Sequence, residues 1–338
     1  MNIKHNINTQ HLEFFDSQQI YSRERPESID DITPVLELQN RCGSPIQWDE
    51  NCPFNLSQKE YVATIPNGCV GVEGTLYDEN NVYVLNDIYS SKISNLSPAN
   101  NYEELVTIVQ KWGYGYYHWM AECFPRLLQF LKDTNKRNVK ILTWDTAFVR
   151  QYLNLIGIED EQIIPFQTNH TYKAKKLYVP TPIYCGNPHK NSLLSIRNTF
   201  KQYFKPNEER INILISREGL PKRTLKHFNN LYSTLCKEFP QNKWVIFDKL
   251  SVKETIELFS KADLVVAVHG AGLTNTVFSP PDCKVVEIIP SKNCVNVCHW
   301  HTISSLGLDY RMIAVDFINP ISQIEVDFNK VIQSIKSF

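Results

Sequence analysis

The apolar run Leu264-Val265-Val266-Ala267-Val268 stops at His269-Gly270-Ala271-Gly272 and resumes as Leu273-Thr274-Asn275. An apolar stretch that breaks into paired glycines predicts a buried strand, a tight loop and the start of a short amphipathic helix. The glycines let a ligand approach the main chain, and the N–H groups at a helix start carry positive partial charge, so an anion is the natural guest. After Phe278-Ser279-Pro280-Pro281, the run Lys284 to Pro290 reads as the next buried parallel strand, interrupted by Glu287, a carboxylate that needs a reason. Ligands of open α/β sheets sit at the carboxyl ends of strands. His269, Gly270, Ala271, Gly272, Leu273, Thr274, Asn275 and Glu287 are therefore candidates for holding a phosphate-bearing ligand. An ordinary βα turn has the same Gly-x-Gly, and the loop alone does not separate the two readings.

The surrounding chain repeats the strand–helix alternation. Strands are expected at 211–215, 244–247, 264–268 and 284–289, helices at 229–239 and 251–260, and a last helix at about 321–335. Ser251 followed by Glu254 has the capping-box spacing. This half reads as Rossmann-like. Just past its first strand, Ser216-Arg217-Glu218-Gly219-Leu220-Pro221-Lys222-Arg223 crowds three cations onto one loop at the same sheet edge. Such a loop is commonly solvated surface, but beside an anion-binding turn Ser216, Arg217, Lys222 and Arg223 make a phosphate clamp.

In the first half, short strands at 61–65, 69–72 and 81–85, separated by Pro66-Asn67-Gly68 and Asp78-Glu79-Asn80, read as an antiparallel meander. Strands at 138–143, 162–166 and 175–180 and helices at 147–156 and 191–204 follow. Between the meander and these elements, glycines 113 and 115 lead into an apolar-periodic helix with a break at Phe124-Pro125. His118 and Glu122 stand four apart on it, on one face, as a base and the carboxylate that orients it would. Packing of His118 among aromatics beside a solvated Glu122 is the competing reading. The polar stretch 205–210 marks a boundary between an N-terminal domain 1–205 and a C-terminal domain 206–320, followed by a C-terminal helix within 321–338. Residues 1–53 have a periodicity too weak to assign.

At 338 residues and 42% hydrophobic content the chain can bury two cores. Its 35 basic and 36 acidic residues leave no field that would favour nucleic acid. The polar start has no signal-peptide core and no uncharged run would span a bilayer, so a soluble, cytoplasmic protein is expected, with peripheral membrane contact as the most a membrane would receive. Nine scattered cysteines read as reduced thiols. Cys294-x3-Cys298-His299-x-His301 fits no common zinc spacing, and no metal is expected.

Three motifs stand in order: Tyr116-Tyr117-His118-Trp119-x2-Glu122-x2-Pro125-Arg126; Ile215-Ser216-Arg217-x5-Arg223 with Asn229 following; and His269-Gly270-Ala271-Gly272-Leu273-Thr274-Asn275-x2-Phe278-x-Pro280 leading to Val286-Glu287-Ile288. Together they resemble glycosyltransferase family 61, over about 61–290. The resemblance implies the GT-B fold, two Rossmann-like domains facing across a cleft, and an inverting, metal-independent transferase. It implies a nucleotide sugar, usually a UDP-sugar, in the C-terminal half and a glycan or glycolipid acceptor on the N-terminal half. N-acetylglucosamine and xylose are the favoured sugars. Surface or capsular polysaccharide synthesis is the expected setting, because the secretory anchor of the eukaryotic members is missing from this sequence. In that scheme His118 is the base with Glu122 orienting or replacing it. Ser216 to Arg223 and His269 to Asn275 hold the diphosphate, and Glu287 accepts from the ribose hydroxyls. A catalytically silent sugar- or nucleotide-binding protein of the same fold is the alternative. A hydrolase lacks the Gly-x-Ser-x-Gly elbow here, and a dehydrogenase lacks the third glycine.

Overall fold

The computed structural model describes residues 2–4, 7–8, 12–21, 27–28, 56–85, 98–290, 298–315 and 323–338. They form a mixed α/β structure that divides into two compact units, one of residues 1–21 and 56–199, the other of 22–55 and 200–338. Strands β1 (Asn2–Lys4), β2 (Leu12–Tyr21) and β3 (Glu27–Ser28) come from the region without a clear sequence period. Their partners define them: β1 pairs with β6 (Asn81–Tyr83), and β2 with β4 (Leu56–Val70).

The first unit carries a nine-stranded sheet in the order β1-β6-β5-β4-β10-β7-β8-β9, with β2 added beside β4. Here β5 is Leu76–Tyr77, β7 Pro98–Thr107, β8 Lys140–Thr143, β9 Ile163–Pro165 and β10 Thr171–Pro180. The segments β4, β5 and β6 pair antiparallel. The meander differs from expectation, because the strands placed at 61–65 and 69–72 belong to one strand that ends at Val70, and the short β5 stands between it and β6. Pro66-Asn67-Gly68 does not reverse the chain, and Asn67 at φ 50° kinks a strand that continues to Val70. Pairing of 62–70 along the length of β10 holds the kinked strand together. The strands β10, β7, β8 and β9 are mutually parallel, and the chain order along the sheet reverses between β7 and β10. Helices α1 (Phe124–Thr134) and α2 (Ala147–Leu155) connect β7 to β8 and β8 to β9. Apolar faces of the sheet meet in a core that includes Ile65, Val70, Leu105, Leu142, Leu177 and Val179. Helix α3 (Lys190–Phe200) ends this unit.

The second unit is a six-stranded parallel sheet in the order β13-β11-β14-β15-β16-β3. Its strands are β11 (Ile211–Ile215), β13 (Trp244–Phe247), β14 (Ala262–Val268), β15 (Lys284–Pro290) and β16 (Asp309–Val315), while β12 (Thr224–Leu225) pairs apart with β17 (Gln323–Ile324). This is a doubly wound order whose direction reverses between β11 and β14. Helices α4 (Phe228–Glu238) and α5 (Val252–Phe259) connect its early strands. At α5 the Ser251 side chain accepts from the Glu254 N–H and the Glu254 carboxylate accepts from Ser251, so the expected capping box forms.

Three local expectations are corrected in this unit. The segment after Gly270 is a 3-10 helix (Ala271–Phe278), and its last six residues, Leu273 to Phe278, are all buried, so it is not amphipathic. The sheet continues past β15, through helix α6 (Cys298–Leu306), to β16. The final helix, α7 (Phe328–Lys336), starts seven residues later than expected because the Asp327 side chain caps it, accepting from Asn329 N–H at 2.9 Å. Ile321, where that helix was expected to start, lies outside the described residues. Val331 and Ile332 of α7 join Leu214, Leu231, Val266 and Val286 in one core.

Candidate active site

The segment around His118 is fastened to the carboxyl ends of three strands. After a single α-turn, Tyr116–His118, the residues Trp119–Cys123 widen into a π-turn before Phe124-Pro125 opens α1. Single π-turns inside helices are frequent at functional sites, because the extra residue re-aims the side chains around it. The indole N–H of Trp119 donates to Thr143 Oγ1 at the end of β8 (3.0 Å), and its ring stacks on Phe124 at 4.8 Å. Arg126, almost fully buried, donates to the carbonyl of Pro180 at the end of β10 (3.2 and 3.3 Å) and to that of Ile108 just past β7 (3.4 Å). The arginine of the first motif thus ties together the two strands between which the sheet order reverses.

Glu122 has no exposed surface. A carboxylate buried that completely must be surrounded by donors. Its Oε1 accepts from the Gly186 N–H at 2.6 Å, and its Oε2 accepts from the Gln110 amide and faces His118 Nδ1 at 2.9 Å. Gln110 follows β7 and Gly186 follows β10, so the carboxylate is held from both sides of the reversal. The structure brings the two side chains into contact, and Glu122 is not a solvated residue. With Nδ1–H directed at the carboxylate, the proton-free nitrogen of a neutral His118 is Nε2, the tautomer a general base needs. The imidazole is about a quarter exposed, at 23%. Cys185 Sγ stands 3.8 Å from His118 Nδ1.

The second cluster belongs to the other unit and lies at its own point of reversal, after β11 and β14. Arg217 lies in the loop that follows β11. Its Nε donates to the carbonyl of Arg223 (3.2 Å) and its Nη2 to that of Lys222 (3.1 Å). Arg223 adopts φ 59°, a left-handed conformation that bends the loop back on itself. Neither guanidinium makes an ion pair with a described residue. Burial, and then the charge of Arg223, lower Arg217 to about 10, while burial lowers Arg223. Both remain cations at neutral pH, partly desolvated, with the Glu287 carboxylate acting on Arg223 but not in ion-pair contact with it among the described residues. A Cβ on Gly270 would lie 1.9 Å from Arg217 Nη1, so only glycine lets the guanidinium lie against that backbone. At Gly272 a Cβ would lie 3.0 Å from Ile215 Cγ2.

The remaining candidates divide into surface and core. Lys222 is exposed, and Ser216 is half-buried with its hydroxyl accepting from the Glu218 N–H at 3.1 Å. Ala271 is half-buried. Leu273, Thr274 and Asn275 are buried, and the Asn275 amide donates to the Gly272 carbonyl at 3.0 Å, which closes the turn. His269 is buried, with its Nδ1 2.7 Å from Glu287 Oε1, and Tyr310 O–H donates to Glu287 Oε2 at 2.6 Å. Glu287 is itself fully buried. Both its oxygens are engaged within the protein, one by a histidine and one by a tyrosine whose hydroxyl is pushed far up by burial and by that carboxylate. The carboxylate that interrupts an apolar strand is thus in contact with His269 and Tyr310. Gln110, Gly186 and Tyr310 were not found in the sequence. Gln110 closes the apolar run from Leu105 as a lone polar residue, which is a faint signal; Tyr310 has none, because its partner is 23 residues away.

Two groups could offer ligands to a metal among the described residues, His118–Glu122–Cys185 and the buried His269–Cys298–His299, each with ligand atoms within 4.8 Å of one another. His301 is buried outside the second group, and Cys294 lies outside the described residues. No described helix is long and apolar enough to cross a membrane.

The model of the family described as Glycosyltransferase 61 matches residues 116–286, half of the chain, from the turn before His118 to the strand of Glu287. The chain belongs to glycosyltransferase family 61. Among curated proteins it is similar to two rice proteins, from Oryza sativa subsp. japonica. One is the beta-1,2-xylosyltransferase RCN11, 35% identical over 88 residues, which are 23% of this chain and 16% of that protein. The other is the beta-1,2-xylosyltransferase XAX1, 25% identical over 187 residues, 53% of this chain and 30% of that protein. The matches thus span less than a third of either relative. The family match encloses His118, Glu122, Arg217, Arg223 and the His269–Asn275 loop.

Proposed function

We propose that the chain is an inverting, metal-independent glycosyltransferase of the GT-B class. It would move xylose or N-acetylglucosamine from a UDP-sugar to a hydroxyl of a glycan or glycolipid in surface or capsular polysaccharide or glycoconjugate synthesis. It would do so in the cytoplasm, with peripheral membrane contact at most. The observation that carries the reading is the fully buried Glu122, held by Gln110 and Gly186, against Nδ1 of a partly exposed His118. A family of glycosyl transferases needs a group that takes the acceptor proton, and this arrangement prepares one. Both rice relatives are beta-1,2-xylosyltransferases, which puts xylose first.

In this mechanism His118 Nε2 takes the proton of the acceptor hydroxyl as its oxygen bonds to the anomeric carbon. The bond from that carbon to the diphosphate oxygen breaks on the opposite face, and the nucleoside diphosphate leaves with the electron pair. Arg217, Arg223, Lys222 and the backbone N–H groups of the Gly270–Asn275 turn receive the growing negative charge. One such contact is worth roughly 2.7–4 kcal/mol of barrier. Glu287 is assigned to holding His269 beside that turn.

The test is calorimetric titration and thermal shift with UDP, GDP, CMP, ADP and the common sugar nucleotides, repeated with Arg217→Ala and Arg223→Ala and with EDTA or Mn²⁺. Stabilisation by uridine nucleotides that either substitution erases, unaffected by EDTA, supports the donor assignment. Binding or turnover that EDTA abolishes and Mn²⁺ restores would refute metal independence, and tight nucleotide binding without turnover on any glycan would favour a catalytically silent binding protein.

A further inference from the structure

Two large aromatic side chains stand exposed close together, Trp112 at 43% and Tyr114 at 56%. Both lie in the loop 111–115, which runs from the carboxyl end of β7 to the turn that carries His118. Other rings are buried, among them Trp119, Trp244 and Trp300, or half-buried, as Trp144 is. Two exposed rings confined to one five-residue loop beside the candidate base are not scattered surface residues of the ordinary kind.

The loop is rigid as well as exposed. Gly113 N–H donates to the Gln110 carbonyl and Gly115 N–H to the Trp112 carbonyl, both at 3.0 Å, and the Trp144 indole N–H donates to the same Gln110 carbonyl at 2.9 Å. Gly113 is wedged so tightly that a Cβ would lie 2.7 Å from Trp144 Cδ1 and 2.9 Å from Cys123 Sγ. A Cβ on Gly115 would lie 3.7 Å from His118 Cδ2, so the loop backbone packs on the imidazole. Tyr114 meets Trp144 edge-on at 5.6 Å, and Lys111 Nζ is 4.9 Å from the Trp112 ring centre. A ring on a fixed backbone loses little entropy when something docks on it. Gln110 also ties this loop to Glu122, so the rings and the base share one support.

A pyranose presents a face of C–H groups that packs on the electron-rich face of an indole or phenol, while its hydroxyls stay at the rim for hydrogen bonding or reaction. We infer that Trp112 and Tyr114 form the acceptor subsite, a stacking platform for the pyranose rings of an oligosaccharide whose adjacent hydroxyl is delivered to His118. This rests on the transferase reading for its purpose, but the platform itself is a binding site with its own readout.

The experiment is saturation-transfer NMR and calorimetry with xylohexaose, chitotetraose and mannotriose on the wild-type chain and on Trp112→Ala, Tyr114→Ala and Trp112→Phe. UDP affinity and Tm are measured on the same samples. The expected result is that at least one oligosaccharide binds the wild type. Its Kd should then rise about tenfold or more in Trp112→Ala and Tyr114→Ala, the scale of a lost aromatic contact. Trp112→Phe should retain most of the affinity, and Tm and UDP affinity should be unchanged. If no oligosaccharide binds, or if both alanine variants bind as the wild type does, the platform is wrong even where UDP still binds. If the glycan effects hold but no nucleotide binds, the platform stands and the transferase reading fails.

Discussion

Gly270→Ala isolates the contact that makes the Arg217 site possible. Gly270 is in extended backbone, φ 173°, so alanine meets no conformational strain there. The whole effect is steric: the new Cβ would lie 1.9 Å from Arg217 Nη1 and 2.9 Å from Cζ. The guanidinium must retreat by about 1.5 Å to reach ordinary contact distance. It is the far end of a flexible side chain, and the carbonyls of Lys222 and Arg223 that it leaves sit where water can replace it. Stability should therefore fall by less than about 1 kcal/mol. A retreat of that size takes a charged donor out of hydrogen-bond range, and a charge-assisted bond is worth about 1.5–3 kcal/mol. UDP affinity should fall roughly 10- to 150-fold with Tm nearly unchanged. Calorimetry and differential scanning calorimetry on Gly270→Ala, Arg217→Ala and the double variant measure both quantities. Because one substitution acts through the other side chain, the double variant should bind no more weakly than Arg217→Ala alone. Additive losses, or a Gly270→Ala protein with wild-type affinity, would refute the argument.

Gly272→Ala should behave oppositely, lowering Tm by about 1 kcal/mol equivalent because its Cβ would press on Ile215 of a buried strand; a Tm equal to that of Gly270→Ala would contradict this. Glu122→Gln places an amide N–H₂ against a donor, the Gly186 N–H or the Gln110 amide. It should cost about 1–3 kcal/mol of stability and reduce turnover by roughly 10²-fold or more. UDP affinity should be untouched, and turnover at wild-type rate would remove Glu122 from the mechanism. Asp78 is held below the usual carboxylate range. Burial alone would raise it, but the Tyr83 hydroxyl, the N–H groups of Asn80 and Asn81 and the Asn81 amide together outweigh burial. Its contribution is complete above the ordinary carboxylate pKa and is lost as pH falls through the lowered one. The acid-side decline of Tm below the ordinary carboxylate range should be shallower in Asp78→Asn, and parallel curves would show that the site contributes nothing.

Features set by near neighbours were legible in the sequence. The strands β11, β13 and β15, the Ser251–Glu254 cap and the His118–Glu122 spacing depend on residues a few positions apart, so apolar period and capping chemistry suffice to find them. Local reasoning failed where distant pairing decided the outcome. Pro66-Asn67-Gly68 reads as a turn, yet β10 pairs across it and makes one strand of 56–70. β16 and helix α6 carry no strong period of their own, and β15 gives β16 its register. The candidate site divides in the same way. Sequence by itself determined which residues are the candidates for the chemistry: a histidine with a carboxylate four positions on, a cationic loop after one strand and glycines after another. Tertiary structure alone decided their states. The order of strands places those loops at two reversals, burial turns Glu122 into a held carboxylate rather than a solvated one, and His269 and Tyr310 each engage one oxygen of Glu287. The physical reason is that solvation and hydrogen-bond partnership are properties of the space around a side chain, and that space is filled by residues from other parts of the chain.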